Sequence, residues 1–136
     1  MKAVLEKGAY IPERAHAEDA GFDLRSPVDV MIWAGGSAVI DTGVHVQIPS
    51  GYVGMLKSKS GLNVNQDLLN EGVIDAGYTG SIRVKLYNHG KRHWKIQRGD
   101  KVSQLVILPI ITPEIEVVDE LEETERGDNG FGSTGA

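Results

Sequence analysis

The sequence contains no cysteine, only two tryptophans and two phenylalanines among its 136 residues, and no long apolar run. Without cysteine the chain has no disulfide, no thiolate nucleophile and no cysteine zinc site. No apolar run approaches the roughly 18 residues that cross a bilayer, and the first residues lack the apolar stretch of a signal peptide. We therefore expect a cytoplasmic protein without a membrane partner.

Positive charge is also scarce. Lysine and arginine total 14 against 19 aspartates and glutamates, which gives a formal net charge of −5. Proteins that bind nucleic acid hold its phosphate backbone with clustered Lys and Arg, so the composition argues against a general nucleic-acid binder. A small polyphosphate that carries its own divalent cation is compatible with this charge, because a few local residues suffice to hold it.

Short apolar or alternating runs recur about every eight to twelve residues, which is typical of a single all-β domain built as a sandwich or barrel. The run 81–87 alternates strictly, so we expect Ile82, Val84 and Leu86 to face the core. A hairpin turn is predicted at residues 35–36 and a short helix within residues 60–69. The predicted strands are residues 28–33, 38–41, 45–48, 53–56, 81–87, 101–108 and 115–118.

The chain ends in an acidic run followed by a glycine-rich segment. Glycine loses more backbone entropy on ordering than any other residue, so this segment is either a frayed end or a segment that a ligand orders. The segment offers groups that can bind a nucleotide: backbone amides and hydroxyls, the Arg126 guanidinium and the Phe131 ring. We divide the chain into an all-β domain, residues 1–119, and an acidic tether with a glycine-rich end, residues 120–136.

Asp75 follows an apolar strand and lies in a turn bounded by glycines, before the alternating strand begins. Such a carboxylate either bonds to its own turn or serves as a placed base or metal ligand. Tyr78 favours the interpretation that Asp75 lies at a pocket, because an aromatic ring can line a pocket but is not needed to form a turn. We expect the chain to return here as a hairpin.

Three further segments carry chemistry. Residues 57–62 combine lysines and serines with Gly61 and suit an anion, although they lack the spacing of a P-loop. Asp23 is a carboxylate in a glycine context, whose alternative role is a simple turn. Gln104 interrupts an apolar strand, where an unpaired amide costs about 1–3 kcal/mol, so it either forms a structural cross-strand bond or contacts a ligand.

Two other patterns are present but are not favoured as functional sites. Residues 41–43 match the Asp-Thr-Gly of aspartic proteases, but Val44 replaces the usual small residue and no later segment supports that loop. His89 and His93 are four residues apart, yet Gly90 opposes a zinc-binding helix and no third ligand is evident. We expect ordinary surface histidines.

Five segments, in this order, resemble the motif set of the trimeric dUTPases, and together they span nearly the whole chain. Any one of them is weak alone, but five in register are specific. The segments are residues 20–24, 59–62, 72–80, 99–106 and 126–135.

The resemblance implies a jelly-roll-like, distorted β barrel of the β-clip type, residues 1–119, that assembles as a homotrimer with active sites shared between subunits. It also implies that residues 120–136 form an acidic tether and a flexible C-terminal lid. It implies hydrolysis of dUTP to dUMP and pyrophosphate, which keeps uracil out of DNA and supplies dUMP for dTMP synthesis. Asp75 would be the base that activates water. The cofactor would be Mg²⁺, held by Asp23 through bound water.

The same resemblance assigns the substrate contacts. Tyr78 would lie beneath the deoxyribose and reject UTP. The uracil would be read by backbone groups around Val73, Ile74 and Arg83, with Asn70 at the base edge. The remaining contacts would be Lys59, Ser60, Gly61 and Gln104 on the phosphates, Arg126, Gly132 and Ser133 from the tail, and Phe131 over the base.

One departure from the family pattern is evident, since the second motif usually reads Pro-Arg-Ser-Gly and Ser58 and Lys59 replace its first two residues here. Lysine keeps the charge but loses the planar fork, so we expect modestly weaker binding. Two alternatives stay open: a dCTP deaminase-type enzyme on the same fold, and a regulatory protein that uses the nucleotide as a signal.

Overall fold

The computed structural model describes residues 1–135, so that Ala136, the last residue of the predicted lid, lies outside the described residues. Nearly all of the regular secondary structure in the described chain is β-strand, which confirms the all-β class. The strands are β1 (Lys2–Leu5), β2 (Gly21–Arg25), β3 (Val30–Ile32), β4 (Ser37–Asp41), β5 (Val44–Gln47), β6 (Tyr52–Lys57), β7 (Leu68–Leu69), β8 (Glu71–Ile74), β9 (Arg83–Asn88), β10 (Trp94–Ile96) and β11 (Lys101–Pro109), and the helix is α1 (Ser60–Gln66).

The strands form four antiparallel sheets. The largest has the order β2-β11-β6-β8, a second has the order β4-β9-β7, and β1-β5 and β10-β3 form two-stranded sheets. Within residues 1–135 these sheets do not close into a barrel, so the predicted distorted barrel is open. The two edge strands of the largest sheet, β2 and β8, pair only with β11 and β6 among the strands of those residues.

The core lies between the sheets and follows the alternation of the sequence. Ile82, Val84 and Leu86 are all 0% exposed, whereas Arg83 and Lys85 face water, as predicted. Each such aliphatic side chain contributes about 1.5–3 kcal/mol when fully buried. The other core residues include Leu24, Ile32, Ile40, Val44, Leu56, Leu68, Val102 and Leu105.

The helix α1 is shorter than the predicted range 60–69. Asp67 adopts a left-handed conformation (φ 54°, ψ 29°), and its amide donates to the Asn63 carbonyl at 3.2 Å, which ends the helix. Leu68 is then 0% exposed in β7. Burial of this leucine in the β4-β9-β7 sheet therefore outweighs continuation of the helix.

Two local predictions need correction. A turn does form at Gly35 and Gly36, but the strands that flank it, β3 and β4, pair with β10 and β9 instead of with each other. Residues 115–118 alternate like a strand yet form none within the described chain, and Ile115 and Val117 are 88% and 92% exposed. A strand needs a partner strand, and no strand within the described residues pairs with this segment.

Among residues 1–135, the only helix is α1, and no helix has the length and apolar character needed to cross a membrane.

Candidate active site

The loop between β8 and β9 surrounds a cavity of about 240 Å³. Tyr78 is 45% exposed at this cavity, and its hydroxyl donates to the Ser81 carbonyl at 3.0 Å. The Tyr78 amide donates to the Asp75 carbonyl at 3.0 Å, so the loop turns sharply between carboxylate and ring. The cavity is lined by Val73, Ile74, Asp75, Tyr78, Ser81 and Arg83.

The predicted hairpin at this loop is wrong. Ile74 of β8 pairs with Gly54 of β6, whereas Arg83 of β9 pairs with Asp41 of β4, so the loop connects two sheets. The cavity consequently lies where the two sheets diverge. Five predicted residues, Val73, Ile74, Asp75, Tyr78 and Arg83, are nevertheless brought together there.

Gly80 sets the position of the Tyr78 ring. A Cβ atom at Gly80 would collide with the hydroxyl end of that ring and would lie 2.9 Å from its Cε2 atom. Any side chain at this position therefore moves the ring.

A second cluster of predicted residues lies at the far end of the largest sheet. In the strand register, Asp23 on β2 is opposite Gln104 on β11, Gln104 is opposite Lys57 on β6, and Lys57 is opposite Glu71 on β8. Side chains directly opposite one another share a face of the sheet, so the pairing forms one polar row across four strands.

Asp23 is 6% exposed, and each of its carboxylate oxygens contacts a lysine. Lys59 contacts Oδ1, and the Lys101 ammonium lies 2.6 Å from Oδ2. Burial alone would raise the pKa of Asp23, but the hydrogen bonds and charges of Lys101 and Lys59 outweigh it and lower that pKa. The carboxylate is therefore held ionised between two cations.

Gln104 makes the structural bond that was one of its two expected roles. Its Nε2 atom donates to the Ser58 carbonyl at 3.1 Å, which ties β11 to the segment that leads into α1. Gly21 leaves room for it, because a Cβ atom there would lie 2.7 Å from the Gln104 Oε1 atom.

The Asn70 side chain is hydrogen-bonded to β11, and its predicted place at the base edge stays a prediction. It is 5% exposed, its Nδ2 atom donates to the Val102 carbonyl at 3.1 Å, and its Oδ1 atom accepts from the Ser103 hydroxyl at 2.7 Å. Its amide is therefore satisfied by β11 and joins that strand to the junction of β7 and β8.

The hydrogen bonds of residues 124–135 are made within that segment. None of them joins the glycine-rich tail to either cluster. Arg126 Nε donates to the Asn129 carbonyl at 2.9 Å, and the Phe131 side chain is fully exposed. The residues predicted from the tail, Arg126, Phe131, Gly132 and Ser133, therefore stand apart from the other site residues.

The two clusters also lie apart within one chain. Three strand spacings and four residues along β8 separate Asp23 from Asp75, which is roughly 20 Å for ordinary sheet dimensions. A single chain thus offers a cavity with a carboxylate and a tyrosine, a separate lysine-rich cluster, and a tail.

The donors around Asp23 suit only a magnesium ion that keeps its own water. Within the described residues, no three His, Cys, Asp or Glu side chains converge as metal ligands. Mg²⁺ dehydrates reluctantly and is commonly held by one carboxylate together with substrate phosphates, which is compatible with Asp23 alone. A metal-bound water can donate to that carboxylate only if Lys59 or Lys101 moves away from it.

His89 and His93 are exposed surface residues, as predicted. His93 Nδ1 accepts the Ala34 amide at 2.9 Å and its ring packs edge-on against Trp33. His89 stacks on Tyr87 instead of approaching His93.

Sequence reasoning missed Lys101 and Ser81. The signal available for Lys101 was its place within the fourth segment, residues 99–106, and Ser81 directly follows the third segment. Both are identified only by what they touch, Asp23 and Tyr78 respectively.

Comparison with known proteins agrees with this geometry. A protein-family model described as dUTPase matches residues 7–135. The deoxyuridine 5'-triphosphate nucleotidohydrolase of Gloeothece citriformis is 42% identical over 96% of this chain and 92% of its own length. The protein of the same name from Arabidopsis thaliana is 42% identical over 99% of this chain and 81% of its own.

Solved structures give the same answer. The dUTPase of Staphylococcus bacteriophage 80alpha with dUpNHpp superposes with a TM-score of 0.92 at 37% identity, covering 99% of this chain and 98% of that one. A mutant dUTPase from phage phi11 of S. aureus, described with a structural Mg(II) ion, superposes with a TM-score of 0.83 at 35% identity over 90% and 98%. The chain belongs to the dUTPase family.

Proposed function

We propose that the protein hydrolyses dUTP to dUMP and pyrophosphate. This proposal rests on one observation in a member of the dUTPase family: Asp75, Tyr78 and the outer edge of β8 line the same cavity. The alternatives, a dCTP deaminase-type enzyme and a nucleotide-dependent regulator, gain no comparable support. The curated relatives compared above are both named nucleotidohydrolases.

Asp75 is the proposed base. Its exposed carboxylate at the cavity accepts a proton from a water molecule as that water attacks the α-phosphorus in line with the departing pyrophosphate. Phosphoryl transfer depends chiefly on alignment and charge stabilisation, so a carboxylate suffices if it orients the water.

Uracil is read by backbone groups of β8. This strand pairs only with β6 in the described chain, so its outer edge, which includes groups of Val73 and Ile74, is free to bond a planar base edge. Cytosine reverses the donor and acceptor pattern and leaves buried groups unpaired, which discriminates by about 10⁴-fold. Arg83, on the opposite wall, contributes its backbone, and the Tyr78 ring excludes a 2′-hydroxyl.

The phosphates are bound by cations and hydroxyls of the second cluster. Lys59 precedes the first turn of α1, where Ser60 and Gly61 are exposed, and Gln104 is fixed beside them by its bond to Ser58. Magnesium bound with the triphosphate would neutralise developing charge on it, with Asp23 accepting from metal-bound water.

Three subunits would complete each site, and the separation of roughly 20 Å between Asp23 and Asp75 supports an arrangement in which the two clusters come from different chains. A second observation supports assembly: the segment that follows β11 exposes a series of apolar side chains. These are Ile110, Ile111, Ile115, Val117, Val118 and Leu121. In this proposal, residues 1–119 form the trimeric body and residues 120–136 carry Arg126, Phe131, Gly132 and Ser133 to a neighbouring site.

A substrate panel tests this function. We expect pyrophosphate release from dUTP, far slower release from dCTP, dTTP and UTP, and a strong dependence on added Mg²⁺. Ammonia release from dCTP would instead establish the deaminase, and binding of dUTP without turnover of any nucleotide would favour the regulator.

A further inference from the structure

Residues 41–45, which we call the brace, lie against the second half of the Asp75 loop. The Thr42 amide and hydroxyl both donate to the Ile82 carbonyl, at 3.0 and 2.7 Å. The Ile82 amide in turn donates to the Val44 carbonyl at 2.8 Å. Thr42 and Ile82 are 0% exposed, so these bonds are shielded from water. The Asp-Thr-Gly sequence thus anchors one end of the loop.

The Asp41 carboxylate reaches two residues that line the Asp75 cavity. Its Oδ1 atom accepts from the Ser81 hydroxyl and from the Gly43 amide, the latter at 3.1 Å. Its Oδ2 atom lies 3.4 Å from Nε of Arg83. Because the Ser81 carbonyl also accepts from the Tyr78 hydroxyl at 3.0 Å, Asp41 is linked to the Tyr78 ring through one residue.

His45, at the other end of the brace, holds the loop next to Tyr78. Its Nδ1 atom lies 2.8 Å from the Thr79 carbonyl, and its Nε2 atom lies 3.0 Å from a Glu6 carboxylate oxygen. Both partners are acceptors, so only the doubly protonated ring satisfies both. The bond to Glu6, followed by that to Thr79, raises the pKa of His45 accordingly.

We propose that Asp41 and His45 are positioning residues that set the nucleoside side of the active site, acting through Ser81 and Thr79 on the Tyr78 ring. This inference rests on the function proposed above. The brace contacts residues 79–83, whereas Asp75 follows directly from β8, which pairs with β6. Loss of the brace should therefore loosen nucleoside recognition more than it slows the chemical step.

The test compares Asp41→Ala with Asp29→Ala. Asp29 is a matched control, because it also accepts a backbone amide, from Arg98 at 2.8 Å, pairs with a cation, Lys95, and has a similarly exposed side chain. We measure kcat and KM for dUTP and UTP, and the affinity for dUMP by calorimetry. For Asp41→Ala we expect KM for dUTP to rise and the preference for dUTP over UTP to fall, each about tenfold or more, with kcat changed much less.

Asp29→Ala should change neither preference nor dUMP affinity. If Asp41→Ala behaves like Asp29→Ala, or lowers kcat alone, the inference is wrong. If Asp41→Ala does not fold, Asp41→Asn replaces it, because asparagine retains the volume of the side chain and one acceptor oxygen. We expect Asp41→Asn to lose an intermediate part of the dUTP preference and of the dUMP affinity. His45→Ala should also weaken dUMP binding, and His45→Gln, which keeps a donor, should restore part of it. Absence of dUTP turnover in the unmodified protein would refute the proposed function instead.

Discussion

The Lys101 ammonium lies 2.6 Å from Oδ2 of Asp23, the same buried carboxylate whose Oδ1 contacts Lys59. One aspartate thus fixes two lysines at the end of the largest sheet, beside the residues proposed to bind phosphate. In the function proposed above, a triphosphate would compete with Asp23 for these cations, and a magnesium ion would compete with them for Asp23. Binding would therefore have to rearrange this ion-pair cluster.

The first prediction concerns that cluster. Lys101→Met should destabilise the protein by about 1 kcal/mol, because it removes a partner from a buried carboxylate while Lys101 itself is partly solvated. Urea denaturation measures this change. Lys95→Met is the control, since the Lys95 pair with Asp29 is exposed on both sides and its loss should cost under about 0.5 kcal/mol. Equal effects would show that Asp23 does not depend on Lys101.

The second prediction concerns Tyr78. Gly80→Ala should displace its ring and lower kcat/KM for dUTP about tenfold or more, since a Cβ atom would collide with the ring. Gly77→Ala, in the same loop, is the control, because a Cβ atom there meets nothing within 4 Å. Steady-state kinetics of both variants decide the matter, and a normal Gly80→Ala enzyme would mean that the ring position is not critical.

The third prediction is a pH dependence of stability. The pKa of His45 is raised in the folded state by Glu6, by the Thr79 carbonyl and by the charge of Asp41. A raised pKa means that protonated His45 stabilises the fold fully below the unfolded-state pKa of 6.5, and that this contribution disappears as pH rises through the folded-state value.

Melting temperatures of the native protein and of His45→Gln, compared across that window, isolate this contribution from that of the other histidines. The gap between them should narrow as pH rises. A constant gap would contradict the prediction.

The fourth prediction tests the shared site. Deleting residues 126–136 should leave fold and assembly intact, as judged by light scattering, while abolishing most turnover. Mixing this truncation with Asp75→Asn chains should restore part of the activity, because some sites would then combine an intact tail with an intact base. Each variant alone serves as the control, and a mixture no more active than its components would show that the tail serves its own chain.

The sequence predicted what local pattern determines. Strict alternation was enough to assign Ile82, Val84 and Leu86 to the core, and the glycine-bounded segment 72–80 was enough to place Asp75 and Tyr78 in one loop. The sequence did not predict the pairing of strands that are distant in the chain. Nothing in the run 72–87 indicates that β8 and β9 join different sheets, because the partners that decide this lie elsewhere in the chain.

The same reason explains the other discrepancies. The contact of Asp41 with Ser81 spans 40 positions, so the local sequence of residues 41–43 indicates only a protease-like motif. Residues 115–118 have the alternation of a strand, but a strand requires an edge to pair with, and pattern cannot reveal whether one is available. Lys101 was overlooked because a lysine at the start of a strand is ordinarily a solvated charge.

The most direct test of the account is the Asp75→Asn variant, assayed for pyrophosphate release from dUTP and for binding of the non-hydrolysable analogue dUpNHpp. The substitution keeps the size of the side chain at the cavity but removes the proton acceptor. We predict an unchanged fold, analogue binding close to that of the native protein and turnover reduced to background. Turnover near the native rate would contradict the central claim, since the reaction would then not depend on Asp75.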